Sequence, residues 1–210
     1  MAYNTIETLR KNIRALSVAI GYQKSGLLPD DGPQALKEYA GFGGLKAILY
    51  PEGDLATWIR SGASNGDLKL HTDVQNLHKG LRENFDEKEY KELVSSLRNS
   101  ILTAFYTPSF VPATVYEVLR ENGIQPKKLY DPSAGSGVFV TEAISALPSL
   151  ENITAIEKDK LTGMVLTALG STFNVETNTH VMGLEESSNE ENGMFDLVAS
   201  NIPFGNFSVY

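Results

Sequence analysis

Apolar residues recur at helical spacing through roughly the first hundred positions of the chain. They stand three or four positions apart in three series, at 6–20, 70–81 and 90–101. This spacing predicts amphipathic helices. Clustered Gly, Pro and Asp residues end the first series at 21–33. We therefore predict a helical N-terminal region, residues 1–104, whose apolar stripes form a packing face rather than a cofactor site.

The pattern changes in the second half of the chain, where short β-rich runs alternate with helical stretches. The predicted strands are 128–131, 153–157, 180–182 and 195–200, and the predicted helices are 108–122, 138–147 and 160–169. Such alternation is typical of a parallel sheet covered by helices on both faces. We therefore predict an α/β domain over residues 105–210, with a solvated acidic loop at 185–192.

Composition excludes several classes of protein. There is no apolar run of about 18 residues, so no membrane span is expected, and the N-terminus lacks the order of a secretion signal. The chain has no cysteine, which excludes disulfides and thiolate chemistry. Its scattered histidines form no ligand cluster, so we expect no metal site; they are His71, His78 and His180. We expect a cytoplasmic protein.

The net charge of −8 bears on the choice of partner. Proteins that bind nucleic acids usually carry a basic face, which releases counterions from the phosphates. This chain has no block of Lys and Arg. Either DNA is not its partner, or the surface that holds DNA lies outside these residues.

A glycine loop follows the first predicted strand, at Asp131-Pro132-Ser133-Ala134-Gly135-Ser136-Gly137. In open α/β sheets, ligands bind at the carboxyl ends of the strands, and glycines allow a sharp turn and close approach to a ligand. A dinucleotide fingerprint would have Gly or Ala where Val140 stands. No Lys-Ser or Lys-Thr follows, so a nucleotide P-loop is also disfavoured.

Two carboxylates accompany this loop. Asp131 would repel phosphates but suits a ligand with an ammonium group, and Glu157, at the end of the next strand, can accept hydrogen bonds from both hydroxyls of a ribose. Together they indicate an adenosyl cofactor without phosphates, such as S-adenosyl-L-methionine. The alternative is a glycine turn with ordinary strand-end acids, which is stronger for Glu157 taken alone.

The fourth predicted strand runs directly into Asn201-Ile202-Pro203-Phe204. An adenine amine is a poor nucleophile because its lone pair is delocalised into the ring. The side-chain oxygen of Asn201 and the carbonyl of Ile202 could each accept one of its N–H groups, and Phe204 could stack on a base swung out of the duplex. The alternative is that this segment is only a tight turn.

With both motifs, the sequence resembles the N6-adenine group of the amino-type DNA methyltransferases. The match is to their cofactor motif at 131–137, their catalytic tetrapeptide at 201–204, and the segment at 103–108 that closes over the methionine end of the cofactor. The resemblance implies a Rossmann-like S-adenosylmethionine methyltransferase sheet and methyl transfer to adenine N6 in DNA. The implied cofactor contacts are Thr103, Thr107, Asp131, Pro132, Ala134, Gly135, Gly137, Glu157 and Glu185, and the implied catalytic residues are Asn201, Ile202, Pro203 and Phe204. A Thr at a helix start is also an ordinary cap.

The segment 39–46, with Trp58 beyond it, is similar to the opening of methylase–helicase proteins of bacterial mobile elements and phages. Two positions depart from the family pattern. Ile202 replaces the first Pro of the tetrapeptide, and Glu185 stands one or two residues late for the acid that touches the cofactor adenine. Only four strands of the usual seven are predicted, so we expect the sheet to be truncated and this chain to be an N-terminal part of a larger enzyme, whose DNA-binding regions lie elsewhere.

Two other functions remain open on the sequence. One is a non-catalytic module that binds S-adenosylmethionine. The other is a methyltransferase acting on a protein glutamine amide, which uses a similar Asn-Pro-Pro-aromatic loop. Phe204 in place of Tyr, and the helical region upstream, favour DNA.

Overall fold

A computed structural model describes residues 4–50, 53–187 and 193–202. The chain divides into two compact units, with the boundary between Phe105 and Tyr106. Each unit has its own core and is described separately. Within the described residues, no helix combines the length and the apolar character needed to cross a bilayer.

The first unit is helical in the residues that the structure describes. Its helices are α1 (Thr5–Ser25), α2 (Gly32–Lys37), α3 (Leu55–Arg60), α4 (Asn65–Leu68), α5 (His71–Asn84) and α6 (Glu87–Thr103), with a 3-10 turn at Lys46–Leu49. The three long helices α1, α5 and α6 coincide with the three predicted apolar series, which confirms the helical N-terminal region. The short helices α2 to α4 were not predicted, because six residues or fewer do not establish a helical period.

Side-chain caps fix where four of these helices begin, namely α1, α3, α4 and α6. The Asp86 carboxylate accepts the Glu89 N–H at 2.8 Å, and the Glu89 carboxylate accepts the Asp86 N–H at 2.9 Å, so α6 starts with a reciprocal capping box. At the start of α3, the Asp54 carboxylate accepts the Thr57 N–H at 2.8 Å, which is a simple side-chain cap. Local hydrogen bonds therefore define α3, which lacks a long apolar series.

A buried asparagine on α1 holds the glycine-rich segment 39–46. Asn12 is fully buried; its amide donates to the Gly41 carbonyl at 2.5 Å and its side-chain oxygen accepts the Ala40 N–H at 2.9 Å. The segment also contacts the end of α6, since the Gly44 N–H donates to the Ile101 carbonyl at 3.0 Å. A Cβ at Gly43 would lie 2.2 Å from the Ala104 carbonyl oxygen, so a glycine is required there.

The second unit contains a parallel sheet of four strands in its described part, in the order β3-β2-β1-β4. The strands are β1 (Lys128–Asp131), β2 (Asn152–Glu157), β3 (Glu176–Val181) and β4 (Leu197–Val198), and the helices are α7 (Phe110–Glu121), α8 (Val138–Ala146) and α9 (Lys160–Gly170). A 3-10 turn at Leu184–Glu186 follows β3. The alternation of strands and helices and the parallel pairing confirm the predicted Rossmann-like α/β fold.

The core of the second unit joins its central strands to the helices. Its buried members include Tyr116 of α7, Leu129 of β1, Val140 of α8, Ile153 of β2 and Leu166 of α9. The central strands β1 and β2 carry the apolar side chains at their middle positions. Their carboxyl ends are therefore held in fixed positions by the packing of the sheet.

The last two strands differ from their predicted bounds. β3 begins at Glu176, four residues before the predicted start. Its sequence alternates Thr with Glu, Asn and His, so its first four residues have no apolar pattern that would predict a strand. It packs closely on α9, where a Cβ at Gly163 would lie 2.7 Å from Val181 Cγ2. β4 is only Leu197–Val198 within the predicted 195–200. Of the predicted acidic loop 185–192, the first two residues belong to the 3-10 turn Leu184–Glu186, and 188–192 lie outside the described residues.

The buried amide of Asn12 leads to a prediction about stability. In Asn12→Leu the Ala40 N–H and the Gly41 carbonyl lose their partners while staying buried, so we expect the free energy of unfolding to fall by about 2–4 kcal/mol. Urea denaturation measures the change. The exposed Asn76 of α5 provides the matched control, and Asn76→Leu should change stability by less than about 0.5 kcal/mol. Equal losses in the two variants would contradict a clamping role for Asn12.

Candidate functional site

The strand order places a ligand crevice at the carboxyl end of β1. The chain passes from β1 to β2 and β3 on one side, and then returns to place β4 on the other side of β1. At such a switch point, the connections leaving the two adjacent strands diverge and open a crevice. The connection after β1 is the glycine loop 131–137, and the segment after β4 carries Asn201.

Two glycines of this loop have backbone conformations that favour glycine. Gly135 has φ of 56° and Gly137 has φ of 84°, both in the left-handed region. Gly137 is also the N-cap of α8, and a Cβ there would lie 2.9 Å from Leu166 Cδ1 of α9. The buried Ala134 anchors the loop, since its N–H donates to the Ile156 carbonyl of β2 at 2.8 Å. The loop is therefore folded tightly against the ends of β1 and β2.

Tyr106 lies against the same loop and was not predicted as a site residue. A Cβ at Gly135 would lie 2.9 Å from Tyr106 Cε1, and the hydroxyls of Tyr106 and Thr162 are hydrogen bonded at 3.1 Å. The sequence placed it between Thr103 and Thr107, but only the threonines were singled out. Its ring occupies the space that a side chain at position 135 would need.

Asp131 ends β1 and is fully buried. Its Oδ1 accepts the Ser133 N–H at 3.2 Å, and its Oδ2 is buried without a hydrogen-bond partner. Burial raises the pKa of Asp131 to about 6, although the Ser133 N–H and the nearby polar Ser200 favour the charged form and oppose the rise. Pro132, which follows it, is also buried. A buried carboxylate oxygen with an open acceptor position is the kind of group that a cationic ligand can satisfy.

Glu157 ends β2 and is joined to the glycine loop. Its Oε2 accepts the Gly135 N–H at 2.8 Å, and its Oε1 accepts the Asp159 N–H at 2.7 Å. Burial raises the pKa of Glu157 to about 7, and the charges of Asp159 and Asp131 add to the rise, while the two N–H groups oppose it. Each oxygen keeps a further lone pair. The carboxylate can therefore support the loop and still accept hydrogen bonds from a ligand.

Glu185, in the 3-10 turn after β3, is exposed. Its carboxylate forms an ion pair with Lys158, the residue that follows Glu157. This contact lowers the pKa of Glu185 and brings the turn to the carboxyl end of β2. Glu185 thus contacts the residue that follows Glu157, and its charge is paired with that lysine.

The two threonines expected near the cofactor have different surroundings. Thr103 is the last residue of α6 in the first unit, where its hydroxyl donates to the Asn99 carbonyl at 3.1 Å. Thr107 belongs to the second unit and accepts a hydrogen bond from the side-chain amide of Asn201 at 2.9 Å. Only Thr107 therefore has a described contact with another residue of the predicted site.

Asn201 and Ile202 are exposed and follow β4 directly. The Ala199 N–H donates to the Tyr130 carbonyl at 3.1 Å, so the segment leaves the sheet beside β1. Ser200 extends this approach, since its hydroxyl donates to the Ser133 carbonyl of the glycine loop at 3.5 Å. Pro203 and Phe204 lie outside the described residues. The site therefore joins a buried acidic loop to an exposed asparagine within one crevice.

The described residues of the crevice do not meet the requirements of a metal site. No group of three His, Cys, Asp or Glu side chains within them could hold a metal ion. The chemistry of the site consists of carboxylate and amide oxygens, backbone N–H groups and hydroxyls. These groups bind and orient a ligand, and none of the described ones forms a nucleophile–base pair.

Comparison with solved structures finds methyltransferases at low sequence identity. A proposed RNA methyltransferase from Pyrococcus horikoshii is 23% identical, with TM-score 0.41, over 49% of this chain and 50% of that one. A type I restriction-modification methyltransferase subunit from Streptococcus thermophilus is 17% identical, with TM-score 0.44, over 97% and 46%. A proposed class I S-adenosylmethionine-dependent methyltransferase from Listeria monocytogenes is 13% identical, with TM-score 0.43, over 96% and 60%. The matches span about half the length of the first two proteins.

Family membership comes from the sequence itself. A search of curated proteins finds no match. The family model described as N-6 DNA methylase matches residues 98–208, a stretch that includes the glycine loop, Glu157 and Asn201. Because this match covers more than half of the chain, the protein belongs to the N-6 DNA methylase family.

Proposed function

We propose that the protein transfers a methyl group from S-adenosyl-L-methionine to N6 of adenine in DNA. The observation that carries the proposal is that the glycine loop and Asn201 follow the adjacent strands β1 and β4, at the same edge of the sheet. The family assignment supports the same reaction. Within this proposal the protein acts in the cytoplasm as part of a DNA-modifying system of the restriction-modification type.

The residues around the loop fit the cofactor. The unpaired Oδ2 of Asp131 suits the ammonium group of the methionine moiety, and the free lone pairs of Glu157 suit the hydroxyls of the ribose. The glycine backbone of the loop leaves room for close approach of a ligand. When bound, S-adenosyl-L-methionine supplies an electrophilic methyl group. The chain itself binds and orients the two reactants.

Asn201 and Ile202 are assigned to the base. The Asn201 side-chain oxygen and the Ile202 carbonyl each accept one N–H of the adenine amine, which localises the nitrogen lone pair and directs it. Both residues are exposed, so a base that has left the duplex can reach them. We assign the stacking role to Phe204, and Pro203 restricts the backbone beside it. These last two roles rest on the sequence.

Two other activities fit parts of the site. A module that only binds the cofactor needs the loop and Glu157 but not Asn201. A protein glutamine methyltransferase would use Asn201 on a side-chain amide instead of a base. The family match favours DNA over protein as the substrate, and the exposed Asn201 beside the loop favours an enzyme over a binding module.

Glu157 leads to a prediction about cofactor affinity. In Glu157→Gln an N–H₂ group replaces one carboxylate oxygen, so we expect S-adenosylmethionine binding to weaken by roughly 1–3 kcal/mol, the scale of a charge-assisted hydrogen bond. Titration calorimetry measures the affinity, and thermal unfolding measures the accompanying loss of loop support. Glu176→Gln, at the exposed start of β3, is the control. Lost stability with intact affinity would make Glu157 purely structural.

The raised pKa values predict how binding depends on pH. Asp131 and Glu157 have pKa values of about 6 and about 7, so both carboxyls lose their charge as the pH falls through this window. Affinity for S-adenosylmethionine should therefore fall roughly tenfold between pH 8 and pH 5, and binding near pH 6.5 should release protons. Calorimetry in two buffers with different ionisation enthalpies detects that release. A constant affinity across the range would argue against both carboxylates as ligands.

Asn201 separates catalysis from binding. In the full-length protein, Asn201→Ala should lower kcat for DNA methylation by about 10²–10³-fold, because it removes an interaction made mainly in the transition state. Affinity for S-adenosylmethionine should stay within about twofold. Mass spectrometry of methylated adenine measures turnover, and Asn178→Ala on β3 serves as control. Ordinary turnover in Asn201→Ala would favour the binding module, and loss of turnover on a protein substrate alone would favour glutamine methylation.

A further inference from the structure

One hydrogen bond in the crevice joins two residues that are 94 positions apart in the chain. The Asn201 side-chain nitrogen donates to the Thr107 hydroxyl oxygen at 2.9 Å. Both residues belong to the second unit. Thr107 lies between Tyr106, whose ring faces the glycine loop, and the start of α7. It therefore stands where the cofactor loop and the segment after β4 approach each other.

The contact bears on the orientation of the Asn201 amide. An asparagine side chain presents an acceptor on one side and a donor on the other, and half a turn about its last bond exchanges them. Catalysis at an amine requires the oxygen to face the amine, because a turned amide would set N–H against N–H. With the amine on the oxygen, the nitrogen needs an acceptor of its own. The Thr107 hydroxyl can accept or donate, so it holds the amide side chain in place, and with the amine on the oxygen it is the acceptor that the nitrogen needs.

The position of Thr107 makes this acceptor stable. Pro108 follows it, and a residue before proline is confined to extended conformations. The adjacent Tyr106 is held by its contact with Gly135 and its hydrogen bond to Thr162. Asn201 itself is exposed. Without a partner in the protein, its side chain would be hydrogen bonded to water and free to rotate.

We propose that Thr107 is a positioning residue that holds the exposed Asn201 side chain in place, so that its amide oxygen can meet the amine of the substrate while its nitrogen stays paired. This role rests on the proposed function and differs from the cofactor contact that the family resemblance implies for Thr107. It gives the segment before α7 a direct part in preparing the base-binding side of the crevice.

The test compares Thr107→Val with Thr107→Ser in the full-length protein. Valine keeps the shape of threonine without the hydroxyl, and serine keeps the hydroxyl. We expect Thr107→Val to lower kcat for DNA methylation about tenfold, the effect of one neutral hydrogen bond, with the affinity for S-adenosylmethionine within about twofold by calorimetry. Thr107→Ser should keep kcat within about twofold. Thr114→Val, which removes a hydroxyl bonded only within α7 to the Phe110 carbonyl, is the control.

A double variant tests whether Thr107 acts through Asn201. Added to Asn201→Ala, the change Thr107→Val should have less than a twofold further effect on kcat, because the group that it orients is gone. Equal loss of kcat in Thr107→Ser and Thr107→Val would overturn the proposal, as would a change confined to cofactor affinity or a full tenfold loss in the double variant.

The outcomes also separate this inference from the proposed function. Unchanged kcat in Thr107→Val, while Asn201→Ala loses turnover, would overturn the role of Thr107 and leave the methyltransferase assignment standing. Absence of DNA methylation by the unmodified protein would overturn both. Melting curves of each variant identify any loss caused by unfolding, and the serine variant still tests the hydroxyl if valine destabilises the protein.

Discussion

The carboxylate of Glu157 is the interaction on which the arrangement of the site depends. One oxygen holds the Gly135 N–H of the glycine loop and the other holds the Asp159 N–H at the start of α9. Two connections that would otherwise be independent, the glycine loop after β1 and the connection from β2 into α9, are thereby joined at one group. The pKa of Glu157 is raised because the carboxylate is buried where it accepts these backbone N–H groups. Tyr106 then completes the loop from the other side through Gly135 and Thr162.

Much of this arrangement could be predicted from the sequence, because its determinants are local. The sequence itself contains the glycines of the loop, the acid at the end of each of the first two strands, and the apolar residues of the central strands. Only the end of β3 could be predicted, because the residues of its first half are threonines between polar residues, and its full extent depends on pairing with β2. Tyr106 and the contact between Thr107 and Asn201 join distant segments, and no spacing in the sequence encodes them.

The first unit shows the same limit. Its long helices follow from apolar periodicity, whereas the segment 39–46 is held by Asn12, a polar residue that a hydrophobic pattern would place at the surface. Its burial is paid for by two hydrogen bonds to backbone that has no helical or strand partner. The same segment lies against the end of α6, where the backbone of Ala104 leaves no space for a side chain at position 43. The glycines of this segment stand out in the sequence, but the asparagine that holds the segment in place does not.

The polar composition of β3 has a consequence for the dynamics of the second unit. Strands β1 and β2 are held by a shared apolar core, whereas β3 has no fully buried residue and is secured by its ladder to β2 and by the close approach of α9 at Gly163. Local opening costs least where little apolar surface is lost, so amide protons of β3 should exchange with solvent before those of β1 and β2. The turn that carries Glu185 follows β3 and would be released with it. Asp131, the glycine loop and Glu157 would keep their structure, so one side of the crevice can loosen while the other remains formed.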